Sequence, residues 1–171
     1  MKNIYFFYLL FFLSFQINSQ ENTAFSLSTK IIQELNLTDV FYYTSLEQAI
    51  ERYPAPINIE ASKYTNRKNH NLFDYYYVFN YNNYELSLFK GASSERYYLN
   101  AIIINVSENQ FVNSLLPYKT FDLYKTNVSF GKIVFIDENK LVYEIRENRT
   151  YFNLGFENGS IKKVAIAFHV E

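Results

Sequence analysis

YYYVFNYNNYELSLFKGASSERYYLNAIIINV, residues 75–106, decides the fold class. It is dense in aromatic and β-branched residues, which suit half-buried strands. Two runs, 75–81 and 84–89, flank Asn82-Asn83, a pair that tolerates the positive φ of a tight hairpin turn. The segment KGASSER (90–96) reads as a longer loop, and 97–106 as a third strand. Further strands are expected near 120–124, 128–136, 140–146, 150–156 and 161–169. Their turns fall at 137–139, 147–149 and Asn158-Gly159, the strongest short hairpin signal in the chain. Upstream, 61–72 is polar and basic (Lys63, Arg67, Lys68, His70) and reads as a loop.

Helices frame these strands. Thr44 and Ser45 precede Glu47 and Gln48 in a capping-box pattern, and Leu46, Ala49, Ile50 and Tyr53 recur at helical spacing. Pro54 forces its predecessor out of the helical region, so the helix is predicted over 45–53. A second helix begins near Ser107, with Gln110 three residues on, and ends before Pro117. Residues 28–37 suit a short helix, and 20–30 read as a disordered or loosely docked arm. The expected class is α+β, an antiparallel sheet with short helices packed on one face.

Two echoes link the halves. Tyr84–Phe89 resembles Tyr151–Phe156 at an offset of 67, and Ala101–Val106 resembles Val170's strand from Ala165 at an offset of 64. They suggest two helix-plus-strands units, 44–106 and 107–171, or one continuous domain. An arm and short helix occupy 20–43 ahead of them. Residues 1–19 read as a signal peptide: Lys2 is the positive n-region, Ile4–Leu13 the apolar stretch, and Gln16–Gln20 the polar end. Cleavage after Ser19 leaves Gln20 first; cleavage after Gln20 and an uncleaved anchor over 4–13 are the competing readings. Export follows, to a bacterial periplasm or the exterior.

The chain has no Cys, so neither a disulfide framework nor a lipobox anchor is available, and stability falls to a packed core. A net charge of −1 with mixed signs argues against nucleic acid and anionic lipid, which need clustered Lys and Arg. There are 17 Tyr and 17 Phe, with no Trp. Abundant Asn, Lys, Tyr, Phe and Ile also fit a low-GC genome. The two histidines, His70 and His169, have no ligand-spaced partner, and four glycines cannot assemble a phosphate loop. No G-x-S-x-G occurs, and the acidic pairs Asp137-Glu138 and Glu144 with Glu147 fall at turns. The expectation is therefore no enzyme, no cofactor and no metal. Sequons at Asn36, Asn105, Asn127, Asn148 and Asn158 matter only in a eukaryotic host.

The helix TSLEQAIERYPAP (44–56), followed by a hairpin and a strand, resembles the β-lactamase-inhibitor-protein-like fold shared with SmpA/OmlA-type lipoproteins. The Gly usual before the helix-ending Pro is absent, as is the lipobox Cys. The resemblance implies a non-enzymatic protein that binds other proteins through hairpin loops and an aromatic-lined sheet face. Tyr is favoured at such interfaces. The candidate binding residues are Tyr75, Tyr77 and Tyr97 on the strands, with Lys90, Glu95 and Arg96 on the loop that is longer in the first half than in the second. The expected partner is an envelope or extracellular protein, as for an inhibitor, immunity or envelope-assembly factor. A small apolar ligand carrier is the alternative, and a hydrolase the third reading.

Overall fold

A helix start is the clearest link between sequence and structure in this computed structural model, which describes residues 23–37, 42–127, 130–146 and 150–168. The Ser45 hydroxyl accepts from the Gln48 amide at 3.1 Å, and the Gln48 side chain accepts from the Thr44 amide at 2.8 Å. This reciprocal cap opens a helix over Leu46–Arg52, and Tyr53, extended ahead of Pro54, closes it. The strand β1 (Tyr42–Tyr43) runs just before this helix, which is α2.

Helix α1 spans Thr23–Glu34 and begins where the sequence suggested an arm. Ala24, Leu27, Ser28 and Ile31 form its buried stripe at i, i+3, i+4 and i+7, so the amphipathic pattern starts at Ala24 rather than Ser28. The Ala24 amide donates to the Phe130 carbonyl, tying this helix to the second half of the chain. Helix α3 (Gln110–Leu115) is capped by the Asn109 side chain, which accepts from the Val112 amide at 2.9 Å. Residues 120–124, expected as a strand, instead lead into helix α4 (Phe121–Thr126). Helical spacing turns Tyr124 fully inward and leaves Leu123 half exposed, whereas strand alternation would have grouped Phe121 with Leu123.

The strands are β2 (Asn58–Thr65), β3 (Phe73–Asn80), β4 (Tyr84–Lys90), β5 (Tyr97–Asn105), β6 (Lys132–Ile136), β7 (Lys140–Arg146), β8 (Thr150–Glu157) and β9 (Ser160–Phe168). They form one antiparallel sheet in the order β2-β3-β4-β5-β9-β8-β7-β6, with β1 also paired to β5. Two four-stranded meanders thus meet through their last strands, Ile102 opposite Ile166. In each, the third strand meets the fourth across a β-bulge, at Ser87/Leu88 and at Gly155/Phe156. Those sites lie 68 residues apart. The residues skipped opposite them, Asn100 and Lys162, lie 62 apart, so the sequence echoes run one and two residues out of register with the bulges.

Two turns and one strand differ in how far they follow expectation. Asn158 (φ 51°) and Gly159 (φ 72°) make the left-handed two-residue turn the sequence signals. Asn82-Asn83 closes the β3–β4 hairpin without positive φ; there the rings of Tyr81 and Tyr84 stack at 4.4 Å. Residues 58–65, largely read as loop, are the edge strand β2, whose side chains are exposed on both faces.

The core lies on one face of the sheet. Phe79, Leu86, Leu88, Leu99, Ile102, Ile104, Leu141, Tyr143, Phe152, Leu154, Val164 and Ile166 alternate inward and meet Ala24, Leu27, Ile31, Ala49, Val112 and Tyr124 from the helices. Each large apolar side chain buried here contributes about 1.5–3 kcal/mol relative to exposure. The fold is α+β, as the sequence predicts. Helix α1 lies over β7 and β8, so the helix side of β2 and β3 keeps Ile59, Phe73 and Tyr75 exposed. The segment 1–19 with its Ser19/Gln20 junction, the 147–149 turn and His169 lie outside the described residues.

Candidate functional site

Period-2 alternation sorts the tyrosines onto two faces. With Phe79, Leu86 and Leu88 facing the helices, Tyr76 on β3 and Phe89 on β4 face away from them, directly opposite each other. Phe89 is opposite Tyr98 on β5, and Tyr98 is opposite Tyr42 on β1. Tyr64 on β2 completes the row, its ring 5.4 Å from that of Tyr76 at 86°. The Tyr76 and Phe89 rings are 5.0 Å apart at 50°. Five aromatic rings therefore cross five strands on the helix-free face, and Tyr64 (59 % exposed) and Tyr42 (48 %) mark its two ends.

Two loops rise at one end of these strands. The β2–β3 loop holds Arg67 and Lys68; the β4–β5 loop is Gly91–Arg96. Asp74 joins them. Its carboxylate accepts from the Asn66 side chain at 2.8 and 3.1 Å and from the Ala92 amide at 2.9 Å. Asn66 in turn accepts from the Lys68 and Asn69 amides, which shapes the first loop as an Asx turn. Together the loops and rings enclose an open groove of about 1650 Å³. Ser62, Val78 and Ser87 line it beside the aromatic rings.

Electrostatics around the groove are simple. Burial pushes the Tyr76 hydroxyl above its ordinary pKa, Asp74 adds to the rise, and Arg67 opposes it. The groove's lining contains one carboxylate, that of Asp74, and its oxygens are occupied by Asn66 and Ala92. Among the described residues, no group of three His, Cys, Asp or Glu side chains is placed to hold a metal. Among the described residues, no helix is long and apolar enough to cross a membrane. The arrangement offers contact area, hydroxyls and positive charge.

The sequence-predicted residues divide between the faces. Tyr75, Tyr77, Tyr97 and Lys90 share the helix side: the Tyr77 and Tyr97 rings lie 5.6 Å apart and both pack against the core, and the Lys90 ammonium lies 4.7 Å over the Tyr97 ring. Burial, then the neighbouring Tyr97, raises the Tyr77 hydroxyl pKa. Tyr75 stands at the uncovered margin of that side, opposite Lys90. Arg96 reaches the aromatic row, its guanidinium 4.6 Å over the Tyr42 ring, and Glu95 beside it is exposed. The expectation thus located the tyrosine-rich strands and the loop, while the row itself uses Tyr42, Tyr64, Tyr76, Phe89 and Tyr98. Alternation counted from Leu86 and Leu88 identifies Phe89 and hence Tyr76. Tyr98 is reached only through the bulge at Asn100.

No protein-family model, curated protein or solved structure matches this chain.

Proposed function

We propose that this chain is an exported, non-enzymatic protein-binding module of the inhibitor, immunity or envelope-assembly kind, and that it binds through the helix-free face. The single observation that carries the reading is the aromatic row Tyr64–Tyr76–Phe89–Tyr98–Tyr42, left open to solvent between two loops clipped together by Asp74. Aromatic anchors in a concave setting supply most of the energy in protein interfaces. Loops held on a rigid sheet supply selectivity. The signal-like segment Met1–Gln20 supports export. The resemblance to the β-lactamase-inhibitor-protein-like class implies the same kind of function and serves as analogy.

A carrier of a small apolar ligand draws less support, because it needs an enclosed apolar cavity. The concavity here is an open groove with Arg67, Lys68 and Asp74 on its walls. A hydrolase needs convergent free acids or a histidine, and Asp74 is already committed to Asn66 and Ala92.

The test is capture of a stoichiometric partner from envelope or culture extract by the tagged protein, compared with Tyr64→Ala/Tyr98→Ala and with Tyr75→Ala. Loss in the first variant and retention in the second supports the reading. Capture undiminished in the first, or no stoichiometric partner with the parent protein, counts against it.

A further inference from the structure

We infer that the groove takes an acidic, extended polypeptide segment, a step that deepens the protein-binding reading above and rests on it. Charge is the first argument. Arg67 and Lys68 line the groove, and Arg96 sits over Tyr42 at the end of the aromatic row. Among the described residues, no ion pair engages any of these three cations; the pair present there is Lys132–Glu144, on the far edge of the sheet. The counter-charges are few or distant. Asp74 brings one negative charge to the groove, its oxygens bonded by the neutral Asn66 and Ala92 donors. Glu95, like Arg96, is exposed on the β4–β5 loop outside the lining, so three cations face two carboxylates at this end. Glu60 and Glu85 share the helix-free face, but stand toward the opposite ends of β2 and β4, with Glu60 accepting from Asn80. The face is therefore polarised, positive at the loops and negative at the β3–β4 hairpin. A segment with its acidic residues at the loop end matches that field.

Shape narrows the class further. About 1650 Å³, open along its length, exceeds the ~300–1,000 Å³ of ordinary small-molecule pockets. Sugars and nucleobases stack on free, flat ring faces. Here Tyr64 and Tyr76 meet at 86° and Tyr76 and Phe89 at 50°, and Arg96 lies over Tyr42, so the rings do not form a row of parallel faces. The groove also presents the hydroxyls of Ser62, Thr65 and Ser93 and the cations Arg67 and Lys68. Such rings take aliphatic and aromatic side chains, hydroxyls meet peptide amides, and the cations take carboxylates. Three cations on a chain of net charge −1 are also too few for a nucleic-acid backbone.

The test uses the purified protein and a short fluorescein-labelled peptide alternating Glu with Phe and Ser, beside its counterpart with Lys for Glu. Anisotropy at low and high salt reads binding. The acidic peptide is expected to bind at low salt, to weaken as salt rises, and to exceed the Lys peptide by about tenfold or more. Arg67→Glu/Lys68→Glu is expected to weaken it by about tenfold with an unchanged melting temperature, and Arg96→Glu in a second variant to weaken it as well. Equal binding of the Lys peptide, absence of binding by both, or binding unaffected by the charge reversals overturns the inference. So does competition by an acidic oligosaccharide as strong as that by the acidic peptide, which would move the ligand class to glycans. Partner capture in the assay above is read separately, so either claim can fail alone.

Discussion

Replacing Asp74 by Ala removes the clip between the two loops that wall the groove. Two donors lose their acceptor, the Asn66 side chain at 2.8 and 3.1 Å and the Ala92 amide at 2.9 Å. Hydrogen bonds to a buried charged group are each worth about 1.5–3 kcal/mol, but Asp74 is only half-buried and water recovers part, which leaves about 1–3 kcal/mol in total. For a chain of this size that lowers the melting temperature by about 3–10 °C. Glu95→Ala, on the same loop with an exposed side chain, is the control and should leave it within about 1 °C. Hydrogen exchange distinguishes a local from a general effect: the Ala92 and Ser94 amides should speed up, while those of β5 and β9 stay protected. A melting temperature equal to the parent's, with unchanged exchange at Ala92, would refute the role given to Asp74.

Other consequences concern the core. The hydroxyls of Tyr43 and Tyr53, both buried, bond each other. Tyr43→Phe should cost about 1–3 kcal/mol by leaving Tyr53 unpaired, and the double Phe variant should be more stable than the sum of the two single losses, as denaturant melts can show. The Tyr81 hydroxyl is buried without a partner. Tyr81→Phe should therefore be neutral or stabilising by up to about 1 kcal/mol in the same assay. Phe79→Ala, which empties a fully buried position beside Tyr53, should cost about 3–5 kcal/mol. Burial raises the Tyr143 hydroxyl from 10.0 to about 12, and also raises those of Tyr53, Tyr81 and Tyr124. The folded state then holds protons that the unfolded chain releases, so this contribution to stability is complete below pH 10.0 and is lost as pH rises from there through about 12. Tyrosinate absorbance should appear in two stages, exposed rings first and buried ones only on unfolding. A single transition for all tyrosines in a folded protein would contradict it.

The sheet was legible where one face is buried, because the contrast between Leu86 or Leu88 and their neighbours writes the period into the sequence. Strand β2 carries no such contrast, being exposed on both sides, so NIEASKYT looks like loop. Helix α4 was misread because a six-residue segment with Phe121, Leu123 and Tyr124 fits either period, and packing against Phe130 and Phe156 chose the helix. The site failed to show for a related reason. A run such as Tyr75-Tyr76-Tyr77 states that rings alternate but not which parity is outward. On β5 the bulge opposite Ser87/Leu88 shifts that parity, so that Tyr97 turns in with Leu99 and Tyr98 turns out. Only the paired strands supply that information.

That one-residue difference is also the sharpest test of the binding face. A photo-crosslinking phenylalanine analogue placed at Tyr76 looks into the groove; placed at Tyr75 it looks to the helix side. Irradiation in extract that contains the partner should give a discrete adduct from position 76 and none from position 75. An adduct from position 75 alone, or from neither, contradicts the assignment of the helix-free face as the surface through which this protein binds.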